Sequence, residues 1–181
     1  MKTLYGNVAH QVIEQTKTIK LLVCDVDGVF SDGRIYLGNA GEELKAFHTK
    51  DGFGVKALIA SGVEVAIITG RNSSIVSNRM KALNVTHIMQ GQEDKLPALL
   101  SLTKKLCLSL DQVAYIGDDV PDLPCIHNVG LGIAVEDSHP LVLEGANYIT
   151  FTRGGFGAVR EVCDLIMQSQ GTLLTAKGAS V

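Results

Sequence analysis

The sequence predicts a doubly wound α/β domain, a parallel sheet held in a three-layer sandwich. Three observations predict it. Six short apolar runs are nearly continuous rather than alternating, as expected of strands buried on both faces. Amphipathic stretches of helical length lie between them, so the strands are joined by crossovers, which are right-handed. No repeat, low-complexity tract or Pro/Gly/Ser linker divides the 181 residues. Residues 1–181 therefore read as one domain, large enough to bury roughly two-thirds of its unfolded surface.

Taken in order, the runs are KLLVCD (20–25), EVAIIT (64–69), THIM (86–89), VAYIGD (113–118), LGIAV (131–135) and ANYIT (146–150). Helices are expected near 52–61, 73–83, 94–106, 120–128, 139–144 and 157–169. The first crossover breaks the pattern. RIYL and ELKAFH, both β-prone, flank Gly38-Asn39-Ala40-Gly41, a hairpin signal. A β-hairpin is therefore inserted at about 33–48. It carries Ile35, Tyr36, Leu37, Leu44 and Phe47, too apolar a set for an isolated hairpin, and its expected cover is a neighbouring subunit. The stretch 171–181, with Gly171 and Gly178, reads as a flexible tail.

Composition narrows the function. With 46% apolar and 19% charged residues the chain is not intrinsically disordered. A net charge of −3 argues against nucleic acid as a partner. No apolar run reaches membrane-spanning length, and the first residues lack a hydrophobic signal core, so no membrane partner and a cytoplasmic location are expected. Cys24, Cys107, Cys125 and Cys163 form no CxxC pair and read as reduced. His10, His87, His127 and His139 have no ligand-like spacing.

Ligands of open α/β sheets bind at the carboxyl ends of the strands. Those ends are Asp25-Val26-Asp27-Gly28-Val29, Thr69-Gly70-Arg71 and Gly117-Asp118-Asp119-Val120-Pro121-Asp122, with Lys95 opening the helix after the third run. Helix capping accounts for single acids here, and in part for Asp119. It does not account for several carboxylates crowded at one edge, which repel one another unless a cation joins them. Oxygen ligands without His or Cys select a hard ion, Mg²⁺. An acidic metal site with a strand-end Thr and a Lys fits phosphoryl transfer, in which an Asp can attack phosphorus.

These segments, in this order, resemble the four motifs of the haloacid dehalogenase superfamily over residues 20 to 165. The resemblance implies a Rossmann-like fold, with Asp25 as nucleophile and Mg²⁺ ligand. Asp27 would be the general acid/base, with its main-chain carbonyl on the metal. Thr69 would bind the transferring phosphoryl group, Lys95 would neutralise charge, and Asp118 would be the third metal ligand. Asp119 and Asp122 would orient water or Lys95 from behind. Both places where members carry a cap domain are too short here, so no cap is expected and the site must admit a macromolecule or be closed by another subunit.

Basic residues stand near these strand ends in an acidic chain: Lys50, Lys56, Arg71, Arg79 and Lys95. Taken singly, Lys56 and Arg79 are as well explained as cations covering helix surface. Together they suit a small substrate bearing a second anion, because Arg matches carboxylates bidentately. The longer stretches DVDGVFSDGRIYLGNAGEELKAFHTKDGFGVK, IITGR, HIMQGQEDK, YIGDDVPD and GGFGAVREVCDLI are similar to the uncapped phosphatases that hydrolyse 3-deoxy-D-manno-octulosonate 8-phosphate. That family implies a homotetramer in which a hairpin closes the neighbouring site, and a role in lipopolysaccharide inner-core precursor synthesis. It implies an acidic sugar phosphate as substrate, bound by Asp27, His48, Thr49, Lys50, Asp51, Gly52, Lys56, Arg71, Arg79 and Lys95. Three alternatives stay open from sequence: a phosphatase for a nine-carbon sialic-acid-type keto-acid phosphate, a receiver-like phospho-binding switch, and a non-catalytic scaffold.

Overall fold

The structure, a computed structural model, describes residues 2–175, 177 and 178. Strands β1 (Leu21–Cys24), β4 (Glu64–Ile68), β5 (His87–Met89), β6 (Val113–Gly117), β7 (Leu131–Ala134) and β8 (Tyr148–Ile149) form one parallel sheet in the order β5-β4-β1-β6-β7-β8. The two short intervening strands, β2 (Tyr36–Leu37) and β3 (Glu43–Leu44), pair only with each other. The chain winds outward from β1 to β5, returns to β6 on the other side, and winds outward again. The crevice between the carboxyl ends of β1 and β6 is thus the topological switch point, where open α/β sheets bind ligands.

Period-2 alternation divides the core. Leu22, Cys24, Val65, Ile67, Ala114, Ile116, Leu131 and Ile133 face α1 (His10–Thr18), α2 (Thr49–Ala60), α3 (Ser74–Ala82) and α7 (Ala158–Ser169). Leu21, Val23, Ala66, Ile68, Val113, Tyr115 and Ala134 face α4 (Lys95–Leu106), α5 (Leu123–Asn128) and α6 (Pro140–Gly145). The central strands β1, β4, β6 and β7 bury both faces, which is why their sequences are almost wholly apolar, whereas the edge strands β5 and β8 are only partly covered. No cap domain interrupts the fold among the described residues, and no described helix is long and apolar enough to cross a membrane.

Several local features depart from the sequence expectation. Helix α1 was not expected: its sequence HQVIEQTKT is mostly polar, and it is anchored by burying only Val12, Ile13 and Thr16. Helix α2 begins at Thr49 rather than near 52, because the His48 side chain caps it, Nδ1 accepting from the Lys50 N–H at 3.1 Å. The stretch 120–128 splits into a 3₁₀ turn (Val120–Asp122) and α5, since Asp119 caps the turn and Pro121 and Pro124 each remove a donor. The hairpin strands have two residues each, with Tyr36 opposite Leu44 and Leu37 opposite Glu43. Leu37 and Leu44 are 73% and 66% exposed. In the stretch read as a flexible tail, Leu173–Thr175 form a 3₁₀ turn and the Gly178 backbone lies against Phe53; 176 and 179–181 lie outside the described residues. Cys24, Cys125 and Cys163 are buried and Cys107 exposed, all as free thiols.

Candidate active site

The parallel register carries Asp25 to the switch point. Cys24 pairs with Ile116, and the next residue, Asp25, continues the ladder by donating its N–H to the Ile116 carbonyl at 3.0 Å. Its carboxylate is buried, with Oδ1 3.0 Å from Lys95 Nζ. Lys95, the first residue of α4, is aimed by Asp122, whose Oδ1 accepts from Lys95 Nζ at 2.7 Å and from the Tyr115 hydroxyl at 2.7 Å. Asp122 Oδ2 accepts from the N–H groups of Asp118 and Asp119 at 3.1 and 3.3 Å. One buried carboxylate thus fixes the lysine and the backbone of the acidic loop together. Tyr115 was legible only as a core residue.

Electrostatics follow from this crowding. Burial, reinforced by the Asp122 charge and opposed by Lys95, pushes Asp25 up to about 6. Burial and then the Asp25 and Asp122 charges push Asp118 up to about 8. Burial disfavours the Lys95 ammonium, but the Asp25 and Asp122 carboxylates overcome it and hold its pKa above the ordinary lysine value.

Asp27 is placed differently. Its Oδ1 pairs with Lys45 Nζ from the end of the hairpin and accepts from Ser31 Oγ at 3.3 Å, while Oδ2 lies 3.9 Å from Arg71 Nε. Arg71 Nη2 also donates to Glu43 Oε2 at 3.1 Å. Lys45 and Glu43 were not anticipated; in sequence they are ordinary strand residues. Asp25, Asp27, Thr69, Arg71, Lys95, Asp118, Asp119 and Asp122 line one cleft of about 470 Å³, joined by Gly33, Gly70, Gln92, Glu93 and Pro121. Thr69 is held at the rim of β4 by its N–H to the Met89 carbonyl at 3.0 Å, and its own carbonyl accepts from Gln92 N–H at 3.0 Å.

Seven expected substrate residues lie outside this cleft. His48 caps α2, Thr49 and Lys50 are exposed on its first turn, and Lys56 is half-buried. Asp51 is buried, with Oδ1 accepting from the Arg160 N–H at 2.7 Å. Burial raises its carboxyl to about 7, against that hydrogen bond and the Arg79 and Arg160 charges. Gly52 leaves room for Arg79: a Cβ there would come within 2.5 Å of Arg79 Nη2. These residues form their own group because α2 packs principally against α7.

The donor set fits a magnesium ion. Asp25, Asp118 and Asp122 each offer an oxygen, all within 4.8 Å of one another. The Asp27 carboxylate is not among them and pairs with Lys45 instead; the family resemblance gives the metal only its main-chain carbonyl. Asp122 is saturated by four donors, whereas buried Asp25 Oδ1, though beside Lys95, has no aligned hydrogen bond. Asp25 and Asp118 are therefore the carboxylates open to a hard cation. Gly28 lets Asp118 approach: its φ is +91°, and a Cβ there would overlap the Asp118 carboxylate. Gly154 does the same for the Gly28 carbonyl. The Arg153–Gly157 loop binds an internal carboxylate, with Asp137 accepting from Gly154 N–H at 2.9 Å and Arg153 Nε at 3.1 Å.

Comparison with known proteins agrees with this geometry. A family model of haloacid dehalogenase-like hydrolases matches residues 84–159. The chain is 54% identical over 179 residues to 3-deoxy-D-manno-octulosonate 8-phosphate phosphatase KdsC of Yersinia pestis, covering 99% of this chain and 96% of that protein. The crystal structure of the phosphatase from Yersinia pestis matches with a TM-score of 0.98 at 53% identity, covering 100% of this chain and 98% of the other. The Moraxella catarrhalis phosphatase, solved in complex with magnesium ion, phosphate ion and KDO, matches with a TM-score of 0.91 at 47% identity over 93% of this chain and 97% of the other. The chain belongs to the 3-deoxy-D-manno-octulosonate 8-phosphate phosphatase family of the haloacid dehalogenase superfamily.

Proposed function

We infer that this protein is a Mg²⁺-dependent phosphoric monoester hydrolase that converts 3-deoxy-D-manno-octulosonate 8-phosphate to the free sugar acid and inorganic phosphate. The observation that carries this reading is the buried Asp25 beside Lys95 and Asp118, at the floor of a cleft whose rim holds Thr69 and Arg71. Relatives bearing this activity in their names are about half identical over nearly the whole chain.

In this reading Asp25 attacks phosphorus and forms an aspartyl-phosphate. The leaving sugar oxygen takes a proton from Asp27; Asp27 then takes one from the water that attacks the phosphorus and frees Asp25. Such proton transfer is worth ~10²–10⁴-fold. Thr69 and Lys95 bind the phosphoryl oxygens, Lys95 being prealigned by Asp122 so that little reorganisation accompanies charge transfer. Bound magnesium, held by Asp25, Asp118 and the Asp27 carbonyl, supplies Lewis-acid neutralisation of the phosphoryl charge. Arg71 takes the substrate carboxylate bidentately.

The homotetramer, the hairpin closing a neighbouring site and a cytoplasmic location belong to the same proposal. The exposed Ile35, Leu37 and Leu44 supply an apolar face for a second copy. His48, Thr49, Lys50, Asp51, Gly52, Lys56 and Arg79 act on substrate in such a shared site, since they lie outside their own chain's cleft. Phosphate release from eight-carbon and nine-carbon keto-acid phosphates and from hexose phosphates, with Mg²⁺ or EDTA, tests the reading. It predicts a Mg²⁺-dependent preference for the eight-carbon acid. Even activity over all esters would remove the substrate assignment, and EDTA-resistant activity would remove the metal.

A further inference from the structure

Beside the apolar face proposed for a second copy, the hairpin sets two charges against its own chain's cleft residues Asp27 and Arg71. Side chains alternate along a strand, so Glu43 and Lys45 share one face and Leu44 points the other way. Leu44 is exposed, whereas Glu43 and Lys45 meet Arg71 and Asp27, two residues that line the cleft. Lys45, whose side chain is only 2% exposed, pairs with Asp27 and lies 4.0 Å from Glu43 Oε1. Glu43 Oε2 takes the Arg71 guanidinium at 3.1 Å, and Oε1 is buried without a hydrogen bond. Glu43 therefore presents a carboxylate to Arg71, as the sugar acid would.

We propose that Glu43 is an internal stand-in for the substrate's carboxylate, holding Arg71 while the cleft is empty, yielding it to the sugar acid, and returning to help displace the acid product. This rests on the reading of Arg71 as the carboxylate-binding residue. The Arg71 and Glu43 side chains are 44% and 28% exposed, so their pair is screened and opens readily. Because the hairpin tethers Glu43, it competes at an effective concentration near millimolar, well placed against a metabolite. Lys45, buried on Asp27, keeps the hairpin seated while Glu43 exchanges. A ligand without a carboxylate leaves Glu43 where it is.

The test compares the wild-type chain with Glu43→Gln and Glu43→Ala. Both variants should lower the KM for the sugar-acid phosphate and the inhibition constant of the free sugar acid by about two- to fivefold. The KM for a hexose phosphate and inhibition by inorganic phosphate should not change. In an Arg71→Ala background, Glu43→Gln should have no effect on the sugar-acid constants. Unchanged constants for the acid, equal shifts for carboxylate-free ligands, or an undiminished effect without Arg71 would each overturn the proposal. Calorimetric titration with the free sugar acid keeps this separate from the function itself. If no ester is hydrolysed the functional reading fails alone, and equal affinities of wild type and Glu43→Gln for the acid would refute the role of Glu43.

Discussion

The Asp25–Lys95–Asp122 cluster and the Asp27–Lys45–Glu43–Arg71 cluster meet at the same cleft, the second through Asp27 and Arg71, yet they are built in opposite ways. In the first, every member is buried and the central Asp122 accepts four hydrogen bonds from three elements. In the second, Asp27, Glu43 and Arg71 remain partly exposed, and two of its four residues ride on a hairpin of two-residue strands. Buried charges in fixed geometry are prealigned for a charge-transfer step. Half-exposed pairs are weak and exchangeable, suited to groups that must change partners as substrate enters and product leaves. The cleft thus pairs a fixed floor, which carries the proposed nucleophile, with an exchangeable rim, on which Asp27, the proposed general acid/base, stands beside Arg71.

The sharpest way to break the first half of this contrast is Asp25→Asn. It should reduce phosphate release by at least ~10³-fold, as removal of a nucleophile does, while circular dichroism shows the fold retained. Activity near wild type would remove Asp25 as nucleophile.

Next in size is Asp122→Ala. It strips Lys95 of its nearest carboxylate and leaves the Tyr115 hydroxyl without its acceptor, so urea unfolding should show a loss of about 3 kcal/mol, together with lower turnover. A variant of unchanged stability would mean that the buried cluster is not the fixed element described here.

The rim predicts a smaller and different effect. Deleting residues 38–41 should leave the stability of the monomer core nearly unchanged, but should lower the mass of the assembly in solution and raise KM. Unchanged mass and KM together would refute the shared-site proposal.

The smallest effect concerns Asp51, a buried acid away from the cleft. Its carboxyl is raised from 3.8 to about 7, so the folded chain holds a proton that the unfolded chain releases. Stability from this group is fully present below about pH 4 and is lost as pH rises toward 7. Asp51→Asn cannot ionise; between pH 4 and 8 its stability should improve relative to wild type by about 1–3 kcal/mol in urea unfolding. Parallel pH profiles would show that Asp51 is not held protonated.

Much of this was legible in the sequence, for physical reasons that also mark where legibility ends. All six sheet strands could be read from short apolar runs, the four central ones because both their faces are buried, and their carboxyl ends are where polarity returns; this exposed Asp25, Thr69 and Asp118. Helix α1 could not, since its three buried residues lie among polar ones and no side chain caps it. Tyr115 looked like any core aromatic because its function lies in one hydroxyl meeting a residue seven positions later. Glu43 and Lys45 were hidden for a related reason: which face of a short hairpin meets the cleft is decided by docking, which local pattern does not encode. His48, Asp51 and Gly52 read as site residues only through the family resemblance; within one chain they cap or pack the start of α2, and a role on substrate belongs to the proposed shared site.

The most direct test of the central claim is a rapid acid quench of the enzyme mixed with ³²P-labelled 3-deoxy-D-manno-octulosonate 8-phosphate and Mg²⁺. The account predicts a transient, base-labile label on Asp25 that decays at the turnover rate and is absent from Asp25→Asn. Turnover without label would contradict a covalent step at Asp25, and a label persisting for minutes would place the protein among phosphate-holding switches rather than hydrolases.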